Sequence, residues 1–268
     1  MLIDYYLGVA SAITAGIIWS LAPGTISRYG KDYRSHVVNM ARSFYAVLFL
    51  LSIITITSTP LNVDPAGLGI IYISAFFGPI LGDTLYIASI KRIGGGNAVS
   101  IGYLYIFLAQ IYSHILFGEE LTARLVAGTM ISLYGIHMVY SGEKHNLELL
   151  GFLAAVGAAL SWGMGATLSR LALQYGDPLT IALYGNLAVM LTLLPFTYRE
   201  ARIIIEKKGL VIGVVTGGLG FGVGMTLFLY AITRVGVGIT VLSTRLSPVL
   251  GRMLSRYIAG ENHLGKPA

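Results

Sequence analysis

The sequence predicts an all-α polytopic membrane protein, an inverted repeat of two five-helix units in which nine helices are visible. Three observations lead to this prediction. The chain is 55% hydrophobic and only 11% charged, its apolar residues form segments long enough to cross a bilayer, and one long stretch occurs twice. Soluble domains carry about 25% charged residues, so this chain has too little charge to cover a water-soluble globule of 268 residues.

The apolar segments are separated by short connections that contain turn-forming or charged residues. A membrane-spanning helix needs about 20 mostly apolar residues. The segments cover approximately residues 6–27, 36–58, 67–90, 97–117, 123–141, 150–173, 178–198, 209–232 and 237–258. In order, the connections read "RYGKDYRS", "TPLNVDPAG", "KRIGGGN", "GEELTAR", "SGEKHNLE", "QYGDP", "YREARIIIEKKG" and "TRVGVG". The start "MLIDYYLGVASAITAG" has no basic cluster and no small-residue cleavage site, so it is interpreted as the first membrane helix.

The two halves of the chain repeat one pattern. Gly67–Glu119 aligns with Gly209–Glu261 without a gap, and "GVASAITAGIIWS" aligns with "GFLAAVGAALSWG", which pairs Trp19 with Trp162. A matched arginine together with spaced glycines is not expected by chance in unrelated apolar helices. The units are therefore predicted as 1–144 with five helices and 145–268 with four. The identical pairs include Gly78/Gly220, Gly82/Gly224, Thr84/Thr226, Arg92/Arg234, Gly94/Gly236, Gly96/Gly238 and Gly118/Gly260.

The second unit stops where its fifth helix is expected to begin. Its closing sequence, "RYIAGENHLGKPA", contains the same Gly-Glu pair that introduces the fifth helix of the first unit at Gly118–Glu119. By the logic of the repeat, a tenth helix is absent from this sequence. A truncated sequence and a natural nine-helix variant are both open at this point.

The positive charges predict the membrane orientation. An odd number of helices per unit places the two copies upside down relative to each other, as in transporters that alternate access about a central site. Twelve Lys and Arg residues fall on one side and three, Arg124, Arg170 and Arg234, on the other. The side with twelve is therefore expected to be cytoplasmic and the N-terminus outside. The twelve are Arg28, Lys31, Arg34, Lys91, Arg92, Lys144, Arg199, Arg202, Lys207, Lys208, Arg256 and Lys266.

Several function classes are disfavoured by the residue content. The chain has no cysteine, which excludes disulfides, thiolate metal sites and a Cys nucleophile. It shows no H-E-x-x-H motif, no nucleophile–base pair and no clustered metal ligands, and "GGGN" at 94–97 lacks the P-loop arrangement. The basic residues lie in short loops, as topology signals do, so nucleic acid is not an expected partner. We therefore expect no enzyme activity, cofactor or bound metal.

The repeat and two local features resemble a known family. Each unit opens with a Gly/Ala-rich helix bearing a Trp, and "LSPVLGRMLSRYIAGE" is an apolar segment with Ser-Pro-Val that closes on Gly-Glu. Over essentially the whole chain, this resembles the EamA-type members of the drug/metabolite transporter superfamily. The sequence departs from the family where the first unit reads "YIF" at the Ser-Pro-Val position, in the absent tenth helix, and in the predicted outside N-terminus.

The resemblance implies a secondary transporter or exporter of small organic solutes or metabolites, multi-pass in the cell membrane. It also implies that the first four helices of each unit enclose a central cavity while the fifth helices lie to one side. The alternatives are a non-transporting structural or regulatory protein of the same fold, and an intramembrane enzyme. The expected partners are the lipid bilayer and a small-molecule substrate, with a carboxylate-bearing solute and proton or ion coupling as open possibilities.

Ionisable residues inside a bilayer cost about 2.5–3.5 kcal/mol each on insertion scales and need a partner or a purpose. Arg245 is the first candidate, because it lies near mid-membrane and precedes Pro248, which is expected to free a carbonyl around Thr244. This arrangement predicts a site for an anionic or carboxylate-bearing substrate. The alternative is a structural Arg245 paired with Asp83 or with helix-end carbonyls.

Other charged candidates lie in or at the ends of the segments. Asp83 is a candidate for proton or cation coupling, or else it neutralises Lys91 or an arginine on another helix. Arg42 is a further candidate. The alternative is that it lies near the basic end of its helix and snorkels to the headgroups, and Arg252 is similar. Glu119 and Glu261, at equivalent helix ends, are expected to stabilise turns rather than to touch substrate.

Polar and aromatic residues supply further candidates. Tyr103, Gln110 and His114 follow spacings of seven and four and are expected to share one face. Tyr103 aligns with Arg245 across the repeat, so the two are expected to face each other near the pseudo-twofold axis. Packing or interfacial anchoring is the competing explanation for each aromatic residue. The remaining candidates are Trp19, Trp162, Asn39, Tyr184 and Asn186.

Two glycine ladders are expected to allow close helix packing and sliding between helices. Their residues are Gly78 and Gly82 in the first unit and Gly213, Gly217, Gly220 and Gly224 in the second.

Overall fold

The computed structural model describes residues 2–140 and 148–259, apart from the side chains of 94–96, 139–140, 252, 255–256 and 259. In this part of the chain the structure is helical, with one isolated bridge between Val63 and Gly176. The first repeat contains α1 (Leu2–Trp19), α2 (Ala22–Tyr29), α3 (Ser35–Thr57), α4 (Leu68–Ala75), α5 (Asp83–Gly102), α6 (Tyr105–Phe117) and α7 (Ala123–Tyr140). The second contains α8 (Leu149–Ala172), α9 (Pro178–Thr197), α10 (Lys207–Ile212), α11 (Met225–Ser243) and α12 (Leu246–Ala259).

The predicted all-helical membrane architecture is confirmed. By length and composition, seven helical stretches of the described chain are long and apolar enough to cross a membrane. The helix α7 and the terminal α12 are helical as predicted but fall outside this set. The seven are Leu2–Tyr29, Ser35–Thr57, Pro65–Ile93, Asn97–Phe117, Leu149–Ala172, Pro178–Ile205 and Lys207–Ser243.

At the end of the third segments, one predicted break is absent and the other is present. The sequence predicts breaks at "KRIGGGN" and "TRVGVG". Helix α5 continues through the first motif, whereas α11 is kinked at Gly236 within the second. In α11 the change of direction occurs at Gly236, whose φ of 74° is a left-handed conformation that glycine adopts without steric cost. The predicted ninth helix is itself divided, since α11 ends at Ser243 and α12 begins at Leu246.

A π-helix occupies the middle of the third segment in each repeat, at Phe76–Gly82 and Gly213–Gly224. The first contains Pro79, which has no N–H to donate and cannot continue an ordinary α-helical ladder. The second is rich in glycine, and both end at the equivalent residues Gly82 and Gly224. Such widened turns are frequent at functional sites, and they place the backbone of both repeats beside the centre of the bundle.

The two repeats pack crosswise through their matched residues. A Cβ added to Gly82 would lie 2.4 Å from the Trp162 ring, and one added to Gly224 would lie 2.7 Å from the Trp19 ring. These separations are far below van der Waals contact. The first helix of each repeat therefore lies directly on the third segment of the other, which explains why both the tryptophan and the glycine recur.

The matched arginines at the end of the third segments also act across the repeats. Arg234 lies 3.1 Å from Asp4 at the start of α1. Its counterpart Arg92 pairs with Glu148, which immediately precedes α8. Both pairs are partly exposed, so each contributes little stability alone. Their position shows that the repeat conserves a contact at each end of the bundle.

Four of the six ladder glycines, Gly82, Gly213, Gly217 and Gly224, pack closely as predicted. In the second repeat, a Cβ added to Gly213 would lie 1.9 Å from the Tyr45 ring, and one added to Gly217 would lie 2.2 Å from the Arg42 carbonyl oxygen. The π-helix of the second repeat is thus in backbone contact with α3. Gly78 has no atom within 4 Å of an added Cβ, because it faces open space at the centre of the molecule.

Candidate functional site

A cavity of about 190 Å³ lies at the centre of the bundle and is lined by helices of both repeats. This space far exceeds that of a single water molecule and suits a small solute. Its wall is mostly apolar and aromatic. The aromatic residues are Trp19, Tyr86, Tyr103, Tyr105, Trp162, Phe221 and Phe228, and the polar ones include Arg42, Ser74, Asp83, Ser169, Asn186 and Thr216.

A buried ion pair forms the polar centre of this cavity. The Arg42 guanidinium donates to Asp83 Oδ2 at 2.9 Å, and the two side chains are 7% and 13% exposed. Arg42 comes from α3, and Asp83 is the first residue of α5, directly after the π-helix. Removing two charges from water is costly unless they are paired and hydrogen-bonded. Burial of either charged side chain is therefore tolerated only because the other is present.

Two further contacts hold the pair in place. The Trp162 indole N–H donates to the other carboxylate oxygen, Asp83 Oδ1, at 2.7 Å. The Arg42 guanidinium carbon lies 3.8 Å from the centre of the Phe221 ring, in a cation–π contact. Since Trp162 and Phe221 belong to the second repeat, the ion pair of the first repeat is held by groups from the second.

The repeat symmetry is broken at this position. Trp19, the counterpart of Trp162, donates its indole N–H to the Gly220 carbonyl at 2.9 Å. The residue equivalent to Asp83 at the offset of the repeat is Met225. The same scaffold thus presents a carboxylate on one side of the cavity and a thioether on the other, which gives the cavity a single charged wall.

Two residues of the cavity wall, Arg42 and Asn186, also contain polar atoms without a hydrogen-bond partner. Arg42 Nε and Asn186 Oδ1 are buried and make no hydrogen bond to the protein. Asn186 donates through Nδ2 to the carbonyls of Ala182 at 2.9 Å and Phe221 at 3.3 Å. A buried donor and a buried acceptor left unmatched are costly.

Aromatic side chains pack around the charged wall. The Trp162 ring centre lies 4.7 Å from that of Tyr86 and 5.8 Å from that of Tyr105. Trp19 and Phe228 are 5.2 Å apart on the opposite side. These distances fit the usual tilted and edge-to-face arrangements, so packed aromatic rings surround one polar centre.

Comparison with known proteins supports this architecture. The EamA-like transporter family matches the chain twice, over residues 6–141 and 149–264. The chain belongs to the EamA-like transporter family. The resemblance predicted from the sequence is therefore confirmed, and the protein is a multi-pass membrane transporter.

Individual relatives of this EamA-like transporter are consistent with the family assignment. An uncharacterized transporter from Archaeoglobus fulgidus is 26% identical over 256 residues, which cover 95% of this chain and 90% of the relative. An uncharacterized transporter from Clostridium kluyveri is 22% identical over 145 residues, 53% of this chain and 47% of the relative. A solved crystal structure is similar with a TM-score of 0.75 at 19% identity, over 97% of this chain and 90% of that chain. The last likeness shows the fold alone.

The structure brings most of the sequence candidates of this EamA-like transporter to the central cavity. Six of them line it: Trp19, Arg42, Asp83, Tyr103, Trp162 and Asn186. Arg42 is 6% exposed and pairs with Asp83, so the prediction that it snorkels to the headgroups is wrong. The alternative that Asp83 neutralises an arginine on another helix is the one observed.

Four candidates lie behind the cavity wall or beyond it. Gln110 is buried and donates to Thr129 Oγ1 of α7 at 2.8 Å. The exposed His114 lies near the end of α6, where its Nδ1 is 2.8 Å from the Glu119 carbonyl oxygen. Asn39 is fully buried and donates to the Pro79 carbonyl at 2.6 Å, where it supports the π-helix. Tyr184 packs against the hydrophobic core.

Arg245 lies elsewhere than predicted. Its side chain is exposed and borders a second cavity at the side of the bundle, whereas Tyr103 lines the central one, so the two do not face each other. The Thr244 carbonyl is not freed by Pro248, because it accepts from the Ser247 N–H at 2.9 Å. Arg245 faces the side of the bundle because the helix is interrupted at residues 244–245, so that α12 does not continue the helical phase of α11. The side chain of Arg252 and all of Glu261 lie outside the described residues.

Glu119 has a larger structural role than a simple turn. Its Oε1 and Oε2 accept from the N–H groups of Val237 at 2.9 Å and Gly238 at 3.0 Å. It also pairs with Arg170 at the end of α8. The turn at Gly236 exposes these N–H groups at a new helical start, where a carboxylate is favourable. The first repeat thus caps a helix of the second.

We expect Glu119→Gln to destabilise the protein by about 1–2 kcal/mol, because it removes the negative charge from this helix start and from Arg170. The measurement is thermal unfolding of purified protein in detergent, followed by helical circular dichroism. The matched control is Glu120→Gln, at the exposed neighbouring residue. Equal melting temperatures for the two variants would contradict the capping role.

The sequence did not point to several cavity residues. Tyr86, Tyr105, Phe221 and Phe228 were not selected, although they form much of the aromatic wall. One local feature of the sequence points to Phe221: it is the aromatic residue in the glycine run "GGLGFGVG". Within the described residues, no group of three or more His, Asp or Glu side chains is arranged to hold a metal ion.

Proposed function

We propose that this transporter moves small organic solutes by alternating access, with the central cavity as the binding site. The observation that carries the proposal is the buried Arg42–Asp83 pair on the cavity wall. The moving units are the two repeats, 1–144 and 145–268, acting in the cell membrane. Because both repeats contribute to the wall, a motion of one repeat against the other changes which end of the cavity is open.

The charges favour a solute with a carboxylate or a similar acceptor group and an apolar body. Such an acceptor fits the Arg42 guanidinium, and a donor on the same solute fits the Asn186 side chain, since both residues line the cavity. The aromatic wall accommodates the apolar part.

Proton coupling follows from the same charges. A carboxylate solute bound at Arg42 places two negative groups beside one guanidinium. Like charges in a poorly solvated site favour protonation of one of them, so Asp83 takes up a proton as the solute binds. Release of the solute restores the ion pair and returns the proton, which links one proton to one solute.

Counterflow in proteoliposomes tests this proposal. Purified protein is assayed against a panel of amino acids, carboxylates, sugars and nucleosides. We expect saturable flux of a carboxylate-bearing solute, reduced to background by Gly185→Leu. Gly185 lines the cavity, and an added Cβ meets no atom within 4 Å, so leucine fills the solute space without disturbing the helix contacts.

The control is Gly69→Leu, at an exposed glycine with equal space around it. We expect it to keep wild-type flux. Flux that survives Gly185→Leu would place the solute path outside the cavity. Absence of flux for every solute in folded wild-type protein would favour a non-transporting member of the family.

A further inference from the structure

A second cavity lies on the side of the bundle, between α1, α11 and the start of α7, with a volume of about 390 Å³. We call it the lateral groove. Its wall includes Val9 and Ile13 of α1, Arg124 near the start of α7, and Leu242, Arg245 and Leu246 around the break between α11 and α12. It shares no lining residue with the central cavity.

The lateral groove contains two cationic side chains without a protein counter-ion. Arg124 and Arg245 are both exposed, and neither forms an ion pair with any residue that the structure describes. No Asp or Glu lines the groove. Two guanidinium groups bordering one cavity therefore create a site for an anion.

Arg245 lies at the break between two helices, at the side of the bundle. It is nine positions after the turn at Gly236, about 13 Å along a helix with the usual rise, and two residues beyond the stretch Lys207–Ser243, which is long and apolar enough to cross a membrane. An exposed guanidinium beside membrane-spanning helices is costly unless an anion reaches it.

Apart from Tyr5, Thr122 and Ser243, the rest of the groove wall is aliphatic. Val9 and Ile13 are four residues apart on α1 and thus share one face, and Leu242 and Leu246 are four apart across the break. The wall therefore combines two arginines with an aliphatic strip. A soluble anion would use the arginines alone, whereas a lipid matches both features.

We propose that the lateral groove binds an anionic phospholipid, with its phosphate between Arg124 and Arg245 and an acyl chain along the aliphatic strip. Guanidinium groups bind phosphate oxygens through charge-assisted hydrogen bonds. The lipid supplies the negative charge that the protein lacks at this position. This site is independent of the solute path through the central cavity.

Native mass spectrometry of the purified protein in detergent tests the proposal. The protein is titrated with phosphatidylglycerol and, separately, with phosphatidylcholine. We expect tighter binding of phosphatidylglycerol, and a loss of roughly tenfold or more in that affinity for the Arg124→Ala/Arg245→Ala double variant. The single variant Arg124→Ala, at the exposed start of α7, should lose part of the affinity and supplies the test if the double variant does not fold.

The control is Arg202→Ala, at an arginine whose side chain is 83% exposed and lies in a different part of the chain. Wild-type affinity for phosphatidylglycerol in both arginine variants of the groove would overturn the proposal, as would an equal loss in Arg202→Ala. A further arm adds glycerol phosphate as competitor. Displacement of the lipid at comparable concentrations would show a phosphate site without an acyl-chain contribution and would overturn the lipid assignment.

Discussion

The variant Asp83→Leu will unfold at a markedly lower temperature than the wild type and will transport no solute. Leucine leaves the buried Arg42 guanidinium without its carboxylate, and removing one partner of a buried pair costs about 3–5 kcal/mol. It also leaves the Trp162 indole N–H without its acceptor. Unfolding in detergent and counterflow in proteoliposomes measure the two effects separately.

The double variant Arg42→Met/Asp83→Leu separates stability from function. Replacing a whole buried ion pair by apolar residues of similar size is often neutral or stabilising, so we expect most of the lost stability to return. Flux should stay at background, because the solute and the proton have lost their charged groups. Recovery of flux together with stability would show that the pair is purely structural.

An exposed ion pair supplies the control for these variants. Lys208 lies 2.8 Å from Asp32, and both side chains are about half exposed. The hydrogen bond and charge of Lys208 lower the pKa of Asp32, so the pair is present at neutral pH and is lost only as pH falls through that lowered pKa. We expect Asp32→Asn to leave both unfolding temperature and flux unchanged at neutral pH.

The variant Gly217→Ala will also have a large effect, although it adds a single methyl group. The new Cβ would lie 2.2 Å from the carbonyl oxygen of Arg42 and 2.9 Å from its Cα. Backbone atoms cannot rotate away, so α3 must shift and carry the ion pair with it. Overpacking of this kind costs about 1–3 kcal/mol, and we expect both a lower unfolding temperature and reduced flux.

The matched control is Gly135→Ala in α7, where an added Cβ meets no atom within 4 Å. Alanine is the better helix former there, so stability should be equal or slightly higher and flux unchanged. A similar melting temperature for Gly217→Ala and Gly135→Ala would contradict the close contact between the second π-helix and α3.

The broken symmetry suggests how one scaffold acquires a specific site. Both tryptophans occupy equivalent places against a glycine of the other repeat. The charged group is present on one side only, at Asp83, with Met225 opposite. In the mechanism that we propose, the symmetric packing supports the motion and the asymmetric side chains select the solute.

The sequence by itself determined the class of the protein and its internal repeat. Composition and segment length predicted membrane helices, since few charges cannot cover a soluble surface. The matched Trp19/Trp162, Gly82/Gly224 and Arg92/Arg234 pairs predicted two related units. In the structure each of these residues contacts a residue of the other repeat: Trp162 packs on Gly82, Trp19 packs on Gly224, and the two arginines pair with Glu148 and Asp4. The same contacts are thus made twice, and this is the physical reason that the pattern recurs in the sequence.

Only the tertiary structure decided which charged residue faces the centre. Spacing along the chain predicts which residues share a face of one helix, but not which helix that face meets. Asp83 found its partner on α3, forty-one positions away, while the break at 244–245 turned Arg245 to the side of the bundle. Partners brought together by packing, and helical phases reset by short breaks, depend on long-range contacts that no local pattern contains.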